Sequence, residues 1–283
     1  MSNRIIISNP IYDTVFQYLM DDIESAKIII STLINRPIIN LIPLTNNIVD
    51  IEKKESEEKY IHLMRLDYTA EILNPDDTKE LVSIELQKAR LRTDEIRFRK
   101  YIAENLKKTE VIVQDQINPK TNLPYTIEKA YRIIPIFILN FEIEKEIFDL
   151  VLQTEHIIKG IFTEKELTSK NNFLENLMYN VIVVQLPYIN RVTQNIHNQP
   201  PKLALYNLFQ LFNQNKPADR DKHTLFIEEN DIPKDYNRII KRLANLKANE
   251  SQLEQKLILE DTMLREITEM QNNISYNEQL VKE

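Results

Sequence analysis

The chain has 283 residues, 42% hydrophobic and 28% charged, with 36 lysines and arginines against 43 aspartates and glutamates, a net charge of -7. That balance describes a folded globular chain. It excludes wholesale disorder, a surface that grips nucleic acid everywhere, and a membrane span of roughly 20 apolar residues, since no apolar run approaches that length. There is no cysteine and one glycine, Gly160, so disulfides, thiolate metal sites and cysteine nucleophiles are excluded. P-loop, GxGxxG and GxSxG turns, which each need two or more glycines at fixed spacing, are excluded too, and no nucleotide cofactor is expected.

The N-terminal MSNRIIISNPIYD lacks a signal-peptide core and a cleavage site, which makes a cytoplasmic location the expectation. From Asn9 to Ile34 the chain reads as one or two helices, with Asn9 suited to a cap, Pro10 to the first turn, and apolar residues recurring at three and four. Pro37 and Pro43 break the pattern.

Two alternating segments follow, HLMRLDYTAEIL from His62 and LVSIELQ from Leu81, separated by the turn-rich NPDDTKE. Alternation sends Arg65, Asp67, Thr69 and Glu71 to one face with Ser83, Glu85 and Gln87. Leu66, Tyr68, Ala70, Ile72, Val82, Ile84 and Leu86 go to the other. A turn centred on Asp76 sets Asp67 opposite Glu85 and Arg65 opposite Gln87. Directly opposed carboxylates repel, so the pairing is a poor structural choice unless a cation sits between them, and hard oxygen ligands suit Mg²⁺, with Mn²⁺ as a substitute. Acids on the polar face of an amphipathic hairpin are otherwise simply solvated.

From Lys88 to Lys108 eight basic residues face three acidic ones, and a helix is predicted over about Thr93 to Thr109. Residues Ile133 to Phe141 (IIPIFILNF) and Met178 to Leu186 (MYNVIVVQL) read as strands, the first buried on both faces. Pro200 to Phe212 reads as a short helix and Asn213 to Asp235 as loop. Tyr236 to Glu283, free of proline and glycine, reads as long helices with heptad-like apolar residues at Ile239, Leu243, Leu246, Leu253, Leu257, Leu264 and Ile267. Such an arm either packs back on the core or pairs with a second copy as a homodimer. The four histidines are scattered without paired metal spacing.

The order of YDTVFQ (Tyr12 to Gln17), LDYTA (Leu66 to Ala70), SIELQ (Ser83 to Gln87), RFRKY (Arg97 to Tyr101) and PIFILNF (Pro135 to Phe141) resembles the PD-(D/E)XK nuclease-family transposases and recombination-promoting nucleases. The resemblance covers roughly the first half of the chain. It implies an α/β fold with a restriction-endonuclease-like core, a mixed sheet flanked by helices, over residues 1–190, followed by a helical C-terminal extension over 191–283 with a possible coiled-coil arm from 236.

The implied activity is Mg²⁺-dependent hydrolysis of DNA phosphodiesters in transposition or recombination. Asp67 and Glu85 would be the metal carboxylates and the Leu86 carbonyl a further ligand, with Asp13 a first-helix acid. Gln87 occupies the place of the signature lysine, a substitution common in this family. An amide can orient a water or a phosphate oxygen but supplies neither charge nor useful basicity. DNA would meet Lys88, Arg90, Arg97, Arg99, Lys100 and Tyr101. The alternative is a catalytically inactive nuclease-fold protein acting as a DNA- or protein-interaction module. The net negative charge, and the glutamines Gln17 and Gln87 where lysines would sit, favour that alternative, whereas retention of both carboxylates on one face favours the enzyme.

Overall fold

The computed structural model describes residues 4–44, 64–89, 98–100, 102–103, 111–117, 121–143, 148–166, 178–192, 196–219, 223–228, 232–246, 254–262, 265–266 and 269. The chain opens with strand β1 (Arg4–Ser8), then helices α1 (Asp13–Met20) and α2 (Ile23–Ile34). The predicted helical stretch divides at Asp22, whose carboxylate caps α2 by accepting from Ser25 N at 3.0 Å and Ser25 Oγ at 2.6 Å. Asn35, in the left-handed region at φ 50°, ends α2.

Strands β2 (Ile38–Pro43), β3 (Met64–Leu73) and β4 (Lys79–Ala89) form an antiparallel meander. The β3–β4 turn is tied by Asn74 N to Thr78 O at 2.8 Å and by Asp76 Oδ1, which accepts from Thr78 N and Thr78 Oγ1. Asp77 takes the positive φ of 60° that the turn requires, which a short polar side chain tolerates.

The chain next forms a separate two-stranded ribbon, β5 (Val111–Ile117) with β6 (Pro124–Ala130), and re-enters the main sheet as β7 (Arg132–Leu139), parallel to β4. Strands β8 (Val151–Gln153) and β9 (Ile182–Gln185) complete a six-stranded mixed sheet in the order β2-β3-β4-β7-β9-β8. The fold is mixed α/β with helices flanking this sheet.

One face of the sheet carries Leu66, Tyr68, Ala70, Ile72, Val82, Ile84 and Leu86, all buried in one cluster with Val15, Phe16 and Leu19 of α1 and Ile29, Ile30 and Leu33 of α2. The alternation predicted for the hairpin holds at every one of these positions. Fully burying such a side chain contributes about 1.5–3 kcal/mol, so the packing of this face against α1 and α2 is a large contribution to stability. The opposite face carries a smaller apolar cluster of Ala89, Ile102, Phe137 and Leu139, with Phe98 stacked on Phe137 at 4.3 Å between ring centroids.

The region after residue 190 is not wholly helical. Helix α3 (Pro200–Phe209) is followed by β10 (Ala218–Asp219) and β11 (Thr224–Glu228), and β11 pairs antiparallel with β1 from the other end of the chain. Asn213 to Asp235 thus contains strands where the sequence predicts loop. Helix α4 (Asn237–Ala244) buries Ile239, Ile240 and Leu243 in the main core, as do Leu225, Ile227 and Leu257. A boundary at residue 190 does not separate two cores, because one apolar cluster runs from Ile7 to Leu257. Of the two expectations for the C-terminal arm, Ile239, Leu243 and Leu257 follow the first, since those side chains fill the core of their own chain. Leu253, Leu264 and Ile267 lie outside the described residues.

Helix α4 is tied to the start of α2 by Arg238, whose Nε and Nη2 donate to Asp22 at 2.6 and 2.7 Å. The Arg238 guanidinium holds the Asp22 carboxyl well below the usual carboxylate range, against an opposing effect of burial, and Ser25 adds to the lowering. A depressed folded pKa means stability that is present above the ordinary carboxylate pKa and lost as pH falls through the folded value. Arg238→Ala should therefore shrink the loss of stability between about pH 6 and about pH 2, read from urea midpoints at both. An identical loss in variant and parent would contradict the pairing.

Candidate metal centre

Asp67 of β3 and Glu85 of β4 are directly paired in the antiparallel ladder, and Arg65 is paired with Gln87, as a turn centred on Asp76 requires. Asp67 is 1% exposed, and Glu85 and Gln87 are 0% exposed. Solvated surface acids on a polar hairpin face would look quite different. Glu85 is flanked across the sheet by Asp67 on one side and by the buried Pro135 of β7 on the other. The β7–β9 ladder begins only at Ile136, so the missing N–H of Pro135 interrupts no bond on that side. One strand position further along, Gln87 neighbours Phe137, which belongs to the smaller apolar cluster.

The physical problem is sharp. Two carboxylates sharing a site without solvent each lose hydration worth several kcal/mol and repel one another, an arrangement that a cation between them relieves. Gln87 shapes the arrangement: its Nε2 donates to Glu85 Oε1 in a short hydrogen bond, while its Oε1 is buried and makes no hydrogen bond among the described residues. Two carboxylates and an amide carbonyl are all hard oxygen donors, a set that fits Mg²⁺ or Mn²⁺. Leu86 turns its side chain to the main core between Leu66 of β3 and Ile136 of β7, so its side chain takes no part in such a set, and its carbonyl lies in the plane of a ladder paired on both sides.

Two expected site residues lie elsewhere. Lys88, one position beyond Gln87, faces the opposite side of β4 and is 3% exposed. Its Nζ donates to Ile11 O at 2.7 Å and Pro10 O at 3.3 Å, meets Asp13 Oδ1 at 3.0 Å and lies 5.1 Å from the centre of the Phe16 ring. An ammonium has three donors, and these contacts use them. Lys88 is therefore a buried anchor between β4 and α1 and not a DNA contact. Asp13, as its counterion on the α1 side, is corrected from a site acid to part of the anchor. Among the described residues no group of three or more His, Asp or Glu side chains is placed to hold a metal ion, so Asp13 does not complete a trio with Asp67 and Glu85.

The start of α1 is fixed from the far end of the chain. Tyr12 offers no side-chain cap. Instead Glu260, in the helical stretch 254–262 and 7% exposed, accepts from Asp13 N at 2.8 Å, from Thr14 N at 3.0 Å and from the Thr14 hydroxyl. The neighbouring Asp261 accepts from Tyr12 Oη at 3.2 Å. Burial, then the Asp261 charge, push the Tyr12 phenol up to about 12. Nothing local in the sequence marks Glu260 for this task, because its partners lie 246 and 247 positions earlier.

Of the other basic residues, Arg99 and Lys100 are exposed in the short helical stretch 98–100. Arg90, Arg97 and Tyr101 lie outside the described residues. No described helix is long and apolar enough to cross a membrane. Comparison with family models, curated proteins and solved structures finds no match to this chain.

Proposed function

We propose that the protein is a Mg²⁺-dependent DNA endonuclease of the PD-(D/E)XK type, related to the transposases and recombination-promoting nucleases, with a restriction-endonuclease-like core built on β3, β4 and β7. The observation that carries this reading is the buried, in-register pair Asp67 and Glu85 with Gln87 two residues on. An antiparallel hairpin whose second strand pairs parallel with the next is in keeping with that core.

In this reading Asp67 and Glu85 hold the cation, and the Leu86 carbonyl is a further ligand. Bound there, Mg²⁺ supplies charge relief on the scissile phosphate and a more acidic water. Gln87 orients Glu85 by hydrogen bond, and Lys88 with Asp13 holds α1 against β4 behind the site. Cleavage of supercoiled plasmid tests the reading: Mg²⁺ or Mn²⁺ supports nicking, while Ca²⁺ supports binding without it. A folded preparation given excess Mg²⁺ or Mn²⁺ that binds neither and cuts no plasmid overturns it.

A second reading has a specific observation in its favour. Lys88, the lysine that follows the site in sequence, is turned away into the α1 anchor and offers no charge to the scissile position. A nuclease fold kept for DNA or protein interaction would show DNA binding with no metal dependence and no cutting.

Affinity for DNA is assigned to the basic stretch after β4. Replacing Arg97, Arg99 and Lys100 together by glutamine should weaken binding to unrelated sequences alike and reduce the salt slope by about one unit for each phosphate no longer neutralised. Unchanged affinity with an unchanged slope would place DNA on another surface.

A further inference from the structure

The position of Gln87 invites comparison with a lysine, yet its surroundings call for something else. A lysine in a nuclease site works by presenting positive charge to a phosphate or a water. Gln87 is 0% exposed, sits two residues from Glu85 on the same strand face, and gives its Nε2 hydrogen to Glu85 Oε1. The amide orientation follows from that contact, because an ionised carboxylate only accepts hydrogen bonds and a flipped amide would set two oxygens against each other. The carbonyl Oε1 must then point away from the Glu85 oxygen. It is buried and has no hydrogen bond among the described residues. Leaving such an oxygen without a partner in a protein interior costs about 1–3 kcal/mol, a cost that a ligand removes.

We infer that Gln87 Oε1 is a neutral third oxygen ligand of the divalent cation held by Asp67 and Glu85. The inference rests on the proposed reading of the carboxylate pair and adds to it a residue and a charge balance. Two carboxylates with an uncharged amide match one divalent cation without surplus charge, and a fixed ammonium at residue 87 would compete with that cation for the same carboxylates. The Gln87 substitution is then a change of role, from cation near the phosphate to ligand of the metal. The consequence is unexpected for a nuclease: installing lysine weakens the site.

Binding of Mn²⁺ alone, read from the loss of the free-ion electron paramagnetic resonance signal, tests this on the full-length chain without reference to activity. The Gln87→Glu variant keeps an oxygen at the site and loses the donor to Glu85, so it should bind Mn²⁺ at least as tightly as the parent. Gln87→Lys keeps a donor and loses the oxygen, and Gln87→Met keeps the volume and loses both. Each of these two should bind about tenfold more weakly or worse, with circular dichroism confirming an intact fold.

If Gln87 acted only by donating to Glu85, the order would reverse, with Gln87→Glu the weaker binder. That reversal, or equal affinity in all four proteins, overturns the inference while leaving the carboxylate site standing. Failure of the parent to bind Mn²⁺ overturns the underlying reading and the inference with it.

Discussion

Asp67→Asn and Glu85→Gln are each expected to abolish Mg²⁺-dependent nicking while leaving the metal-free protein folded. The reason is the burial of both groups in register. In the absence of a cation, neutralising one of two opposed carboxylates relieves the repulsion between them and leaves the packed volume almost unchanged. In its presence, the same change removes one of the two anionic ligands. Each 1.4 kcal/mol of lost transition-state stabilisation is tenfold in rate, and metal assistance is worth several kcal/mol, so the rate should fall about a hundredfold or more.

The thermal midpoints carry an independent signature. Saturating Mg²⁺ should raise the midpoint of the parent, because the cation binds only the folded chain, and should leave both variants where they stand in chelator. Variants that melt well below the parent in chelator would show instead that the two carboxylates are structural partners of other groups.

The second large effect concerns the C-terminal residues. Removing everything after residue 235 deletes Ile239, Ile240, Leu243 and Leu257 from the core. Four such side chains are worth roughly 6–12 kcal/mol at about 1.5–3 kcal/mol each, comparable with the about 5–15 kcal/mol that keeps a whole domain folded. The deletion also takes away Glu260, which caps α1, and Arg238, which binds Asp22. Residues 1–235 are therefore expected to lack a cooperative thermal transition, or to be insoluble. A truncated protein that melts cooperatively within a few degrees of the full chain would show that the tail is an independent arm, as its helical composition taken alone suggests.

The hairpin was legible in the sequence down to its register. Its two strands alternate without interruption, and a turn rich in Asn, Pro and Asp leaves one centre for the pairing, so the buried set and the opposed acids follow from a period of two. The same period already carried the correction for Lys88, since a residue one position past Gln87 must face the other way. What the sequence did not carry was the anchor waiting there, formed by the carbonyls of Pro10 and Ile11 and the carboxylate of Asp13.

Strand β1 and its partner β11 were not legible. Each spans only Arg4–Ser8 or Thr224–Glu228, the one partner near in sequence, β10, is two residues long, and the β1–β11 pairing joins opposite ends of the chain. The C-terminal helices read correctly as amphipathic, but periodicity gives a helix an apolar face without saying which surface covers it. The carboxylate pair stood between these extremes. Its acids could be named from pattern, whereas their loss of solvent depends on the packing around Pro135 and Phe137 and on no local signal.

The central claim is that Asp67 and Glu85 share a cation, and anomalous scattering from a crystal soaked in Mn²⁺ tests it most directly. The account predicts one strong peak within coordination distance, about 2.0–2.2 Å, of oxygens from both Asp67 and Glu85. A crystal saturated with Mn²⁺ that shows no peak between these two carboxylates would contradict it.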